Sequence, residues 1–148
     1  MSQLSRRLLL AAGFTVALGG AASAKELKVM GTFIADAGVT TQPTGDVTGS
    51  FNTHTHKLDF KVTYGGLSGP VVAAHFHGPA KLGHNAGVMI PIEKPYDSPI
   101  TGSVDLSAKQ THALEHGLVY VNLHTQANPN GEARAQLHTG HMAMHKAS

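Results

Sequence analysis

The 148-residue sequence predicts an all-β protein: an antiparallel β-sandwich or Greek-key barrel of about eight short strands with one short helix. Apolar and polar residues alternate with period two through most of the chain after residue 24, as in strands that bury one face. Turn signals rich in glycine, proline and asparagine separate these runs at short spacing. Only one segment, Ala108–His116, has a helical pattern, so two packed sheets or a closed barrel are favoured.

The first 24 residues have the features of a signal peptide. Arg6 and Arg7 precede the apolar run Leu8–Leu18, and Ala22-Ser23-Ala24 matches the small-residue cleavage pattern. The apolar run is shorter than the roughly 20 residues that span a bilayer. We therefore expect cleavage before Lys25, export by the general secretory or the twin-arginine route, no membrane insertion afterwards, and a periplasmic or secreted location.

Composition narrows the function of the remaining chain. Two of the 11 Lys and Arg residues lie in the leader, so nine basic residues balance nine acidic ones, and no basic run suggests nucleic-acid binding. The chain has no cysteine, which excludes disulfides and thiolate metal sites. All 11 histidines follow residue 24, so a bound transition metal would be held by imidazole, helped by carboxylate or thioether.

One β domain is predicted over residues 25–138. Its clearest strand places Phe60 and Val62 on a buried face and Asp59 and Lys61 on an exposed face. The eight predicted strands are Glu26–Ile34, Asp46–Phe51, Lys57–Tyr64, Val71–His77, Ala86–Ile92, Thr101–Leu106, Leu118–Thr125 and Glu132–His138.

The predicted helix has a start signal and a stop signal. Ser107 and Gln110 form a capping box, and Gly117 supplies the C-terminal stop. His112 and His116 lie four residues apart and would share one face, a spacing that can grip an ion. We expect a weak site there, because a helix of two turns frays.

The strand Val71–His77 carries the leading candidate site. Alternate residues of a strand share a face and rise about 3.3 Å each, so His75 and His77 project side by side. Phe76 then lies on the opposite face with Val72 and Ala74. Gly78-Pro79 ends the strand just after the two histidines.

A third histidine closes another predicted strand. In Leu118–Thr125, Val119, Val121 and Leu123 form the core face, so His124 lies on the polar face. If the two strands are neighbours, His75, His77 and His124 meet. Three histidines with an open coordination position suit copper or zinc, and intrinsic affinity favours copper. In the alternative, these imidazoles hydrogen-bond to backbone carbonyls and hold the strand ends together.

The remaining histidines give weaker candidates. His54 and His56 fall in a predicted hairpin turn, where solvated side chains are expected. The His/Met-rich tail, residues 139–148, is predicted to be flexible and combines imidazole with thioether, a soft ligand suited to Cu(I). The alternative is a disordered terminus of incidental composition. Its candidate ligands are His141, Met142, Met144 and His145.

Longer motifs resemble a known family. The segment AHFHGPA, followed by Gly83, Asn85 and Ala86, and later YVNLHT and NPNGEARAQL, resembles the CHRD (chordin-type) domain family in its secreted bacterial branch. The resemblance runs from about Glu26 to Leu137. It implies an extracytoplasmic all-β domain and, through the animal relatives, a role in protein interaction. It implies no reaction.

A weaker resemblance points toward an enzyme. The His-x-His strand, the later histidine that closes another strand, and Gly131 with Arg134 are similar to the copper half of copper–zinc superoxide dismutases. The long loop with the histidines and aspartate of their zinc site is missing here, and no disulfide can form. The resemblance therefore implies copper binding more than superoxide chemistry.

Together these observations lead to a ranked expectation. The first function is transition-metal binding or buffering, with copper ahead of zinc and no turnover, outside the cytoplasm. The second is a non-catalytic structural or interaction domain with an extracytoplasmic protein partner. An enzyme comes third, because the sequence has no Ser-His-Asp constellation, no phosphate-binding glycine loop and no paired carboxylates at strand ends.

Overall fold

The computed structural model describes residues 25–141. The predicted signal peptide, residues 1–24, lies outside the described residues, as do Met142, Met144 and His145 of the predicted tail. The described part contains ten strands and one helix: β1 (Glu26–Thr32), β2 (Ile34–Ala35), β3 (Asp46–Asn52), β4 (Lys57–Val62), β5 (Val71–His77), β6 (Val88–Pro91), β7 (Ile100–Asp105), α1 (Ala108–Glu115), β8 (Tyr120–Thr125), β9 (Ala133–Gln136) and β10 (His138–His141).

The strands form two five-stranded antiparallel sheets, which confirms the predicted all-β sandwich. One sheet has the order β10-β1-β3-β4-β7, and the other has the order β2-β9-β8-β5-β6. The two sheets pack face to face over an apolar core, as in other sandwiches. Phe60 on β4 meets Phe76 on β5 edge to face, with ring centroids 5.1 Å apart.

The structure has ten strands and not eight because the chain changes sheets twice within predicted strands. The predicted strand Glu26–Ile34 divides at buried Phe33 into β1 and β2, which belong to different sheets. At the C-terminus, buried Leu137 separates β9 from β10, which pairs with β1. β10 continues to His141 and so includes the first three residues of the predicted tail.

The predicted strand faces are mostly confirmed. Phe60 and Val62 are buried, while Asp59 and Lys61 are exposed. Val72 is a correction, because it is 52 % exposed although the alternation placed it on the same face as Phe76 and Ala74, which are buried. The pairing register of β5 with β8 shifts between Val71 and Ala73, and such a bulge reverses the alternation at the start of the strand.

Helix α1 has both predicted end signals. The capping box between Ser107 and Gln110 is present, and Gly117 takes a left-handed conformation at φ 68° after the last turn. Ala113 and Leu114 bury one side of the helix against the core. Within residues 25–141, the helix α1 is not long and apolar enough to cross a membrane.

Candidate metal centre

The strand order places the three predicted histidines on one side of the same sheet. β5 and β8 are neighbours, and His77 lies opposite Tyr120 while His75 lies opposite Asn122. His124 lies opposite Ala73, one step along the polar face of β8. The predicted meeting of these histidines depended on the two strands being neighbours. Antiparallel pairing of β5 with β8 brings His75, His77 and His124 together.

The three side chains form a compact group. Each offers a ring nitrogen, and the three nitrogens lie within 4.8 Å of one another. The ring centroids are 5.6 Å apart for His75 and His77, and 4.9 Å apart for His75 and His124. His75 Nδ1 and His124 Nε2 are hydrogen-bonded at 3.1 Å. Two nitrogens bound tetrahedrally to one ion at about 2.0–2.1 Å would lie about 3.3 Å apart, which is close to the spacing of these two atoms.

Backbone carbonyls fix which nitrogen of two rings carries the lone pair. His77 Nδ1 is 3.1 Å from the Ala86 carbonyl oxygen, and His124 Nδ1 is 3.0 Å from that of Pro129. A carbonyl only accepts, so each Nδ1 donates, and a neutral imidazole then keeps its lone pair on Nε2. This is the orientation that metal-binding histidines adopt, with the second nitrogen bonded to a carbonyl or carboxylate.

His77 Nε2 has an unusual environment. This atom is buried and has no hydrogen-bond partner in the structure, and His77 as a whole is only 8 % exposed. Buried polar atoms without a partner are rare, since each loses its hydration without compensation. A metal ion is a partner that an imidazole lone pair can bind directly.

The environment also keeps two of the rings neutral. Burial lowers the pKa of His75, and the neighbouring His124 and His77 lower it further. Burial is also the largest cause that lowers the pKa of His77; the hydrogen bond to Ala86 opposes it, while His124 and Arg134 reinforce it. Neutral imidazole is the form that binds metal, so these rings are available at neutral pH.

Tyr120 and Arg134 support the group from the side. The rings of His77 and Tyr120 are stacked, 4.9 Å apart and 8° from parallel. The Arg134 guanidinium carbon lies 3.6 Å from the Tyr120 ring centroid. Because β5 and β9 flank β8, Tyr120 is held between the imidazole and the guanidinium.

The same side chains hold the loop that orients His77. Arg134 donates from Nη1 to the His84 carbonyl oxygen at 2.7 Å and from Nη2 to that of Lys81 at 3.1 Å. The Tyr120 hydroxyl accepts from Ala86 N at 3.1 Å. Arg134 was singled out in the sequence for its likeness to a dismutase arginine. Here both of its terminal nitrogens donate to protein acceptors.

Glu132 is an important residue that sequence reasoning missed. Its carboxylate is fully buried and accepts hydrogen bonds from Ser68 N, Ser68 Oγ, Thr41 Oγ1 and Thr125 Oγ1. Burial alone would raise the pKa of Glu132, but the hydrogen bonds from Ser68 and Thr125 lower it to about 2. The residue joins the loops that carry Thr41 and Ser68 to the end of β8 at Thr125. In the predicted strand Glu132–His138, Glu132 falls on the same polar face as Arg134, so the alternation did not predict that its carboxylate is buried.

The other candidate histidines stand apart from this group. His56 Nδ1 is 3.0 Å from Thr111 Oγ1, and His54 is exposed. His112 lies on α1, and His116 is the C-cap residue that directly follows it. Of the candidate tail ligands, His141 lies in β10, while the other three fall outside the described residues. Within residues 25–141, the three-histidine group is the cluster of three metal-ligating side chains that the structure forms.

Comparison with known proteins identifies the family. A sequence profile of the CHRD domain matches residues 21–137, which include every strand from β1 to β9. No curated protein and no solved structure gives a significant match. The matched residues include His75, His77, His124 and the supporting Tyr120 and Arg134. The profile covers well over half of the chain, and the chain belongs to the CHRD domain family.

Proposed function

We propose that this CHRD domain binds one transition-metal ion through His75, His77 and His124, with copper preferred to zinc, and that it stores or buffers the ion without turnover. We further propose that residues 1–24 direct export, so that the domain works in the periplasm or outside the cell. The mature chain would then begin at Lys25, which mass spectrometry of the exported protein can test.

The unpartnered Nε2 of buried His77 carries this proposal. In the alternative view, the histidines only hold the fold together through hydrogen bonds. That view accounts for the Nδ1 bonds of His77 and His124 and for the bond between His75 and His124, but it leaves His77 Nε2 buried without a partner. Metal binding accounts for both nitrogens of His77, because the carbonyl bond orients the ring and the ion takes the lone pair.

Ligand chemistry supports the choice of metal. Three neutral imidazoles suit copper and zinc, and copper has the higher intrinsic affinity for nitrogen ligands. In the described residues, the cluster contains no carboxylate that would serve as a general base beside the ion. Storage or buffering therefore fits the arrangement better than catalysis does.

A second candidate function is protein interaction. Met30, Ile34 and Leu82 are exposed apolar side chains that line one groove of about 610 Å³. An exposed apolar groove favours a protein partner, the role implied by the animal members of the family. The two functions are compatible, since the side chains that line the groove do not include the three histidines of the proposed metal site.

Metal analysis and titration test the first function. The protein is purified without a polyhistidine tag, its metal content is measured, and Cu(II) and zinc are titrated by calorimetry. The His75→Ala/His77→Ala variant should lose the tightest site. The matched control, His54→Ala/His84→Ala, removes two exposed histidines and should keep it.

Two results would reject the metal proposal. One is a parent protein that binds neither ion at micromolar concentration. The other is equal affinity in the parent and in the His75→Ala/His77→Ala variant, with both folded by circular dichroism. Either result would leave the interaction function as the better account of the domain.

A further inference from the structure

The helix α1 carries a second pair of histidines that the proposed metal centre does not use. His112 and His116 are both exposed, and their rings are stacked with centroids 4.0 Å apart and 18° between planes. They lie four residues apart, so both project from the same side of the helix. A metal ion binds in the plane of an imidazole ring, so the stacked rings do not face one ion as they stand; the His112 ring has to turn about its side-chain bonds to share an ion with His116.

The helix is more firmly held than its length suggests. Its first turn is closed by the capping box of Ser107 and Gln110. Its last turn is closed by Gly117 N, which donates to the Leu114 carbonyl oxygen at 3.1 Å, and by Leu118 N, which donates to that of Ala113 at 2.9 Å. Ala113 and Leu114 are also buried in the core. Fraying, the reason for expecting a weak site, is therefore opposed at both ends.

One ring of the pair has a defined open nitrogen. His116 Nδ1 lies 2.8 Å from the His112 carbonyl oxygen, which can only accept. The neutral His116 ring therefore keeps its lone pair on Nε2, facing away from the backbone. This bond to a carbonyl is the same kind of support that His77 and His124 receive.

The charges at this end of the helix favour a cation. The carbonyl end of a helix carries a partial negative charge that attracts cations within the last turn. Glu115, also exposed, lies between the two histidines in sequence, and Lys109 is the opposing positive charge one turn earlier. A third imidazole, His138 on β10, borders the same helix end, since a Cβ added at Gly117 would lie 3.5 Å from His138 Nδ1.

We propose that His112 and His116 form a second metal site on the surface of the domain, which takes a divalent ion that prefers imidazole, such as zinc, Cu(II) or nickel. His116 would hold the ion through Nε2 and His112 through a ring nitrogen after its ring has turned, and the site is separate from the three-histidine centre. It is open to solvent, so exchange of the ion is fast. The order His-x-x-Glu-His also binds zinc in a class of peptidases, although only binding is proposed for this helix.

Zinc titration by calorimetry at pH 7.5 tests the second site, because zinc has little affinity for thioether and does not change oxidation state. The parent protein should bind about two ions per chain, and His112→Ala/His116→Ala should lose the weaker of the two. The His75→Ala/His77→Ala variant should show the reverse, with the weaker site kept. Both histidines of the helix pair are exposed, so their removal should leave the fold intact.

A matched control and a second measurement make the result specific. The His54→Ala/His84→Ala variant removes two exposed histidines that do not share a helix face, and it should bind as the parent does. Zinc should still raise the melting temperature of His75→Ala/His77→Ala, and this rise should vanish when His112 and His116 are also replaced. The inference is overturned if His112→Ala/His116→Ala binds zinc like the parent, or if the control loses as much.

Discussion

His77 and Tyr120 lie directly opposite each other on β5 and β8, with their rings 4.9 Å apart and nearly parallel. Both also contact Ala86: His77 Nδ1 donates to its carbonyl oxygen, and the Tyr120 hydroxyl accepts from its backbone N–H. Tyr120 therefore controls the ring orientation of His77 in two ways, through the stack and through the loop. The phenol is a structural support for the proposed metal ligand.

Tyr120→Phe should weaken metal binding while keeping the stack. The variant removes the hydroxyl that holds Ala86, which frees the carbonyl that orients His77. Loss of a supporting contact of this kind lowers metal affinity by about 10–100-fold in known sites, and the lost hydrogen bond should cost about 1 kcal/mol in stability. Competition titration measures the affinity and urea unfolding measures the stability.

Tyr64→Phe is the matched control for this experiment. Its hydroxyl donates to the Tyr96 carbonyl oxygen, away from the three histidines. Tyr64→Phe should lose similar stability and keep the full metal affinity. Equal affinities in the two variants would contradict the role given to Tyr120.

The core contact between the two sheets predicts an unequal pair of substitutions. Phe60→Ala removes a buried ring that meets Phe76, and it should cost about 3–5 kcal/mol by leaving a cavity. Lys61→Ala removes an exposed side chain from the next position and should change stability by less than about 0.5 kcal/mol. Similar unfolding free energies for the two variants would mean that the face assignment of β4 is incorrect.

Glu132 predicts how the protein responds to acid. Its pKa is about 2 in the folded state against 4.5 for an ordinary glutamate, so its carboxylate stabilises the fold above pH 4.5. This contribution is lost as the pH falls from about 4.5 through about 2. Glu132→Gln should therefore be less stable than the parent at pH 7, by about 2–3 kcal/mol, with the difference shrinking below pH 4.

Urea unfolding at pH 7, 4 and 2.5 measures this effect. The exposed Glu93→Gln provides the control, since it should follow the parent at every pH. A constant difference between Glu132→Gln and the parent over this range would show that the charge of Glu132 does not stabilise the fold.

The lowered pKa of His75 and of His77 predicts where acid releases the metal. Both values lie below the ordinary 6.5, because burial and neighbouring charges disfavour the protonated rings. Protonation of His75 and His77 therefore competes with the metal only below pH 6.5, and affinity should fall as the pH drops through their folded pKa values. The stability that these neutral rings contribute to the metal-free protein should be lost over the same interval. Dialysis against buffers from pH 8 to 4.5 measures the bound metal; release complete above pH 6.5 would contradict this prediction.

The tail should bind Cu(I) separately from the main site. A chain ending at His141 keeps all of β10 and removes Met142, Met144 and His145, whereas a deletion after Thr139 would cut into the strand. Thioethers favour Cu(I), so this truncation should weaken Cu(I) binding and leave Cu(II) binding at the three histidines unchanged. Competition titrations with each oxidation state measure both effects. A Met142→Leu/Met144→Leu variant of the full chain should reproduce the Cu(I) loss; unchanged Cu(I) binding in both chains would exclude the tail.

The sequence by itself determined which residues share a face. Alternation is a local property of the chain, because successive side chains of a strand point to opposite sides whatever the strand pairs with. It therefore predicted the buried Phe60, the exposed Lys61, and the common side of His75 and His77. The family motifs and the ends of α1 were also readable, since they depend on short stretches of sequence.

Only the tertiary structure decided which faces meet and which are covered. The pairing of β5 with β8, which joins His124 to the other two histidines, rests on hydrogen bonds between residues about 50 positions apart. Distant parts of the chain also decide the sheet changes at Phe33 and Leu137, the bulge that exposes Val72, and the burial of Glu132 between two loops and the end of β8. The alternation of polar and apolar residues does not mark where these features occur. Contacts between remote segments are set by packing and loop geometry, which alternation along one strand does not encode.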